Sequence, residues 1–156
     1  MNREANVRQA VHKLLTEQQL GVLSTVGENT PYASLVAFAS TDDDRRLLFV
    51  TPRATRKFAN LSNNARVALL VNNSINHPAD FHEAAAVTAI GGAKSVPATE
   101  AAMLRSLYLA KHPYLEDFAH SPSCELILIR VERYVMVERF QNVTEIRVDH
   151  DLDHTA

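Results

Sequence analysis

Thr51, Arg53, Thr55, Arg56 and Lys57 crowd the centre of the stretch LLFVTPRATRKFANLSNNARVALLV, residues 47–71. Hydroxyls donate hydrogen bonds, a guanidinium grips two oxygens at once, and an ammonium adds a point charge; together they suit a phosphate monoester. The apolar runs 47–50 and 67–71 read as strands, with a short helix starting near Thr55, so the unpaired N–H groups of a helix N-terminus would point to the same place. Asp and Glu are absent from 51 to 71. The same residues also read as a solvated turn in which Thr55 is an ordinary N-cap. Both readings stand at this point, although cations at a helix start oppose its dipole, which counts towards an anion.

A second candidate is TPYASLVAF, residues 30–38. The small Ala33 and Ser34 would let a flat ligand lie along the strand backbone, or would fill a tight barrel interior. Walker and Rossmann glycine patterns are missing. The segment HPADFHE places His77, Asp80, His82 and Glu83 together, yet Pro78 opposes one helical face carrying His77 and Asp80, so a polar loop is expected and no metal. His112 in KHP reads as a helix stop, and His150 and His154 lie in an acidic end, DHDLDHTA. Cys124 is the single cysteine, which excludes an internal disulfide and a cysteine-built metal centre and fits a reducing compartment.

The elements that must position these residues emerge from the periodicity. Val7, Ala10, Val11, Leu14 and Leu15 mark an amphipathic helix over 3–19. LGVLSTV, YASLVAFAS and LLFVT follow as strands joined by the turns GENTP and TDDDRR, an antiparallel meander. After the short helix come RVALLV, a loop over 72–84, and AAVTAIGGAKSV, where Gly91 and Gly92 mark a bulge or a close backbone approach. A helix begins near Pro97, a shorter one follows at YLEDFA, and CELILIRVERYVMVERFQNVTEIRV supplies two or three strands, its LILI buried on both sides. The fold class is mainly β (α+β): a small antiparallel barrel with peripheral helices, one domain over 1–148 and an acidic, flexible tail over 149–156. With 156 residues, 46% hydrophobic, a net charge of −2 and no apolar run long enough to cross a membrane, the chain reads as a cytoplasmic globular protein without nucleic-acid or membrane partners.

These segments, in this order, resemble the FMN-binding split barrel of the pyridoxamine 5′-phosphate oxidase-like superfamily. The resemblance implies that Arg56 and Lys57 hold the FMN phosphate, with Arg53 and Thr55 as helpers. Phe49, Val50 and Thr51 would lie along the flavin and its ribityl chain, and Ser34, Leu35 and Val36 would present backbone to the ring. It implies a homodimer with FMN at the subunit interface and a small-molecule substrate. The C-terminal half, from YLAKHPYLEDFAHS onward, is similar to the haem-utilisation branch.

Departures accompany the matches. Ala37, Phe38 and Ala39 stand where pyridoxamine phosphate oxidases proper carry a substrate-phosphate lysine, tryptophan is absent, and Ala86 replaces a flavin-contacting glutamine. Oxidation of pyridoxamine phosphate is therefore not expected, and no catalytic side chain is nominated. The expected function is an FMN-dependent oxidoreductase of unidentified substrate. Its alternatives are a haem-binding or haem-degrading protein, with His112 or His120 as iron ligand, and a non-catalytic flavin-binding module. A deazaflavin is a further cofactor candidate.

Overall fold

The computed structural model describes residues 2–150. Helix α1 (Arg3–Glu17) starts at Asn2, whose side chain accepts the Ala5 amide. Strands β1 (Leu20–Gly27) and β2 (Thr30–Ser40) follow. Glu28 and Asn29, both left-handed with φ of 52° and 59°, form the two-residue turn between them. Then come β3 (Arg46–Pro52), α2 (Arg56–Asn63), β4 (Arg66–Asn72), the single turn α3 (Asp80–Glu83) and β5 (Ala85–Ser95). The chain closes with α4 (Ala98–Lys111), a 3₁₀ turn at Pro113–Leu115, α5 (Glu116–His120), β6 (Cys124–Glu138) and β7 (Asn142–Arg147).

The strands pair antiparallel in the order β3-β2-β1-β4-β5-β6-β7, and pairing of β3 with β6 closes the first six into a barrel. β6 makes this possible by its length. One edge pairs β5, while the other pairs β3 in its first half and β7 in its second. Between the halves the register with β5 shifts at Ile90/Gly91. A β-carbon on Gly91 would stand 2.1 Å from the Arg130 carbonyl oxygen, so the close approach expected of Gly91 requires glycine. Gly92 has open space instead.

Two cores explain the LILI run. Ile127 and Ile129 point into the barrel with Leu23, Phe38, Phe49 and Leu69, and α1 adds Val7, Val11, Leu14 and Leu15 to that core. Leu126 and Leu128 belong to a second cluster outside the barrel, where α4 lays Leu104 and Tyr108 over Leu48 and Val50. Burial of both faces produces the uninterrupted apolar sequence. Ala39 near the end of β2 is buried under α4, but among the described residues no such cover lies over the outer face of β1, β4 and the first part of β2. There Leu35 is 64%, Leu20 50% and Leu70 37% exposed, and the register sets Leu35, Val22 and Leu70 side by side.

The loop expected over 72–84 contains the helical turn α3, begun only after Pro78. Of the tail expected to be loose, His150 is buried, its Nε2 donating to the Val131 carbonyl at 2.6 Å; residues 151–156 lie outside those described. Among the described residues no helix is long and apolar enough to cross a membrane.

Candidate functional site

β2 and β3 run side by side only from Phe38/Phe49 to Ser40/Leu47. Residues 30–37 of β2 and 50–52 of β3 lie beyond the ladder. There β2 is paired on one side only, with β1, and β3 on one side only, with β6. The barrel wall is split at this point, and the backbone edges that flank the split have no strand partner, although the Ala37 carbonyl accepts the Tyr108 hydroxyl at 3.2 Å. Ser34, Leu35 and Val36 lie on one edge; Val50 and Thr51 lie on the other. Phe49, the last laddered residue of β3, is fully buried inside the barrel, and Val50 is buried under α4, so what these two offer a ligand is backbone.

At the end of β3 the chain turns into α2. Thr55 caps the helix: its hydroxyl accepts the Phe58 amide at 3.3 Å and donates to the Pro52 carbonyl at 2.9 Å. Thr51 is fully buried, with Oγ1 3.1 Å from both the Pro52 carbonyl oxygen and Thr55 Oγ1. Its hydroxyl therefore braces the turn and does not reach outward as an anion donor. Capping leaves the Arg56 and Lys57 amides, first in the helix, without intrahelical acceptors. No acidic residue stands in the first turn to use the helix dipole.

The three cations separate. Arg53 is committed to structure: its Nε donates to Glu125 at 2.9 Å and its Nη1 to the Pro122 carbonyl, which ties the β3 end to the start of β6. The absence of acids in 51–71 concealed this pair, because Glu125 arrives from a distant strand. Arg56 and Lys57 make no ion pair or hydrogen bond among the described residues; Arg56 is exposed and Lys57 half-buried. The helix that carries them is fixed from below by contacts the sequence reading missed. Buried Asn60 donates from Nδ2 to Thr25 Oγ1 at 3.1 Å, and a β-carbon on Gly27 would stand 2.1 Å from Asn60 Oδ1. Asparagine on the inner face of a short amphipathic helix was the available signal.

On the other edge of the split, Ser34 Oγ is buried and has no hydrogen-bond partner. An unsatisfied buried hydroxyl is costly unless something completes it. Free cations, exposed helix amides, unpaired strand edges and an orphaned hydroxyl together fit a flat ligand ending in a phosphate.

The histidines do not converge. His112 is buried and its Nε2 donates to the Phe38 carbonyl at 2.7 Å; His120 Nδ1 donates to its own helix at Glu116. Burial lowers the His112 pKa, which keeps the ring neutral. Asp80 accepts amides of Ile75 and His77 and thereby organises the 73–83 loop. No group of histidine, cysteine and carboxylate side chains that could hold a metal ion occurs among the described residues.

Residues 7–138 match the family model described as pyridoxamine 5′-phosphate oxidase. The chain belongs to this family. Solved structures share its fold. A haem-binding protein from Mycobacterium smegmatis superposes with a TM-score of 0.78 at 18% identity, over 87% of this chain and 55% of that one. ChuZ from Campylobacter jejuni gives 0.79 at 11%, over 94% and 61%. A FAD-binding protein from Mesorhizobium loti gives 0.67 at 17%, over 83% and 90%. At these identities the likeness is one of fold, and this chain spans little more than half of the first two proteins. No curated protein matches the chain.

Proposed function

We propose that this family member is a cytoplasmic FMN-binding oxidoreductase acting on a small substrate other than pyridoxamine phosphate. The observation that carries the reading is the unpaired Arg56–Lys57 couple at the capped start of α2, set beside the split between β2 and β3. Arg56 and Lys57, with the first amides of α2, hold the phosphate, and Thr51 and Thr55 fix the turn that presents them. The backbone of residues 34–36 and 49–51 flanks the ribityl chain and ring, and Ser34 Oγ finds its missing partner there. Arg53 acts through the Glu125 pair that holds the turn. When bound, the flavin supplies hydride or electron transfer, and the chain's own residues position it and control access.

The uncovered outer face of β2, β1 and β4 supports a homodimer with the flavin beside the interface. Leu35 lies both on that face and on the split, so a second copy that covers it also closes the site. The Mycobacterium smegmatis haem-binding protein supplies a haem alternative, but His112 spends its Nε2 on a backbone carbonyl and no observation in this chain favours that reading. The test is the spectrum of the purified protein before and after FMN addition. Flavin bands and released FMN support the proposal, and failure to take up FMN removes it.

A further inference from the structure

Between the β2–β3 turn, α1 and strands β6 and β7 lies a cavity of about 360 Å3, large enough for a small ligand. Its floor is apolar and buried, made by Val11 of α1, Tyr134 of β6 and Ile146 of β7. Its rim is charged: Asp43, Asp44 and Asp149 stand there with Arg8 and Arg45. The cavity adjoins the start of β3, whereas the Arg56–Lys57 grip follows its end. Arg46–Pro52 spans about 20 Å, and no residue of the split or of the uncovered face of β2, β1 and β4 lines the cavity.

Most of the rim is already partnered. Arg8 Nη2 donates to Glu4 at 2.9 Å and to the Arg147 carbonyl at 3.1 Å. Asp43 Oδ1 accepts the Thr41 hydroxyl at 2.7 Å and the Arg45 amide at 3.0 Å, and its Oδ2 faces the Arg45 guanidinium at 3.9 Å. Asp44 differs. Its Oδ2 meets His12 Nδ1 at 2.7 Å, but its Oδ1 is buried without a partner, and Ser34 Oγ at the split is the other such atom among the described residues. The turn fixes where this carboxylate stands: Asp44 holds left-handed backbone with φ of 57°, its amide donates to the Thr41 carbonyl at 2.9 Å, and its own carbonyl accepts the Tyr134 hydroxyl at 2.6 Å. Burial above all, with Asp43 and Asp42 nearby, pushes the Asp44 pKa up, and His12 alone opposes them. A desolvated carboxylate with one oxygen unpaired calls for a positively charged donor.

We propose that this cavity binds a small primary amine, with its ammonium on Asp44 Oδ1 and its apolar body on Val11, Tyr134 and Ile146. An ammonium brings the donor that the rim lacks, and Asp43 and Asp149 add negative potential beside it. Arg8 and Arg45 repel further positive charge, so the site selects a monoamine over a polyamine. The need for a cation separates it chemically from the anion grip at Arg56 and Lys57, and the proposal does not depend on flavin binding.

The probe is benzylamine, charged at neutral pH, titrated calorimetrically into the FMN-saturated protein and into the protein as purified. Benzyl alcohol, the same ring without the charge, is the control. Saturable benzylamine binding is expected in both, at least about tenfold tighter than that of the alcohol and weakened by about tenfold or more in Asp44→Asn. Asparagine adopts the left-handed turn and keeps an acceptor for His12, so the variant keeps the fold. The comparison of the two ligands on the wild-type protein needs no variant. Absence of saturable binding, equal affinity in Asp44→Asn or equal binding of benzyl alcohol would overturn the proposal. Displacement of benzylamine by FMN would place the amine in the flavin site and would overturn it too.

Discussion

Arg56 and Lys57 differ from Arg53 in what surrounds them. Arg53 meets Glu125, whereas the first turn of α2 offers its two cations nothing but solvent and helix amides. Arg56→Ala with Lys57→Ala should weaken FMN binding by about 3 kcal/mol, as loss of charge-assisted contacts would. Calorimetric titration measures it; an unchanged affinity moves the phosphate elsewhere. Ser34→Ala should act in two directions. It deletes an unsatisfied buried hydroxyl and raises apoprotein stability by about 1 kcal/mol, yet weakens FMN binding. A mutant that binds FMN as tightly as wild type would make the serine a filler of space only. The order of threonines and cations was legible in the sequence, but their division of labour was not: Thr51 turned inward, and the Arg53 partner lies far along the chain.

Secondary structure was legible because its signals are local. Strand periodicity, the GENTP turn, Thr55 as N-cap and Pro97 before α4 all act within a few residues. The seating of α2 on β1 through Gly27, Asn60 and Thr25 was hidden, since it is a contact between elements. Gly27→Ala drives a methyl into Asn60 and displaces the helix that carries Arg56 and Lys57. It should lower both melting temperature and FMN affinity, while Gly92→Ala, with open space, changes neither. A second joint ties α4 to the barrel and to α1: Lys111 Nζ donates to the Leu15 carbonyl at 2.8 Å and stands 4.0 Å over the Phe38 ring. Burial pushes its pKa down to about 8. Between pH 8 and about 10 the unfolded chain keeps this proton and the native protein releases it, so stability rises with pH. Above 10, burial of Tyr108, which pushes its pKa up to about 12, works the opposite way. Thermal melts of wild type against Lys111→Met should diverge in favour of wild type from pH 8 to 10; parallel curves would refute the titration.

The barrel itself was foreseeable from a run of short antiparallel strands ending in a segment buried on both faces. Its closure by β3 and β6 could not be, because residues 46–52 and 124–130 meet only in three dimensions. The uncovered face of β2, β1 and β4 was equally hidden, for leucines at 20, 35 and 70 look like core positions until the helices are placed. Leu35→Glu should leave the fold intact, convert a dimer to monomer in light scattering, and release FMN with it. A variant that stays dimeric would put the interface on another face. Titrating the purified protein with FMN and recording its absorption spectrum shows whether this chain carries FMN. Stoichiometric uptake with perturbed flavin bands is expected, weakened by loss of Arg56 and Lys57. A colourless protein that leaves added FMN free would contradict it.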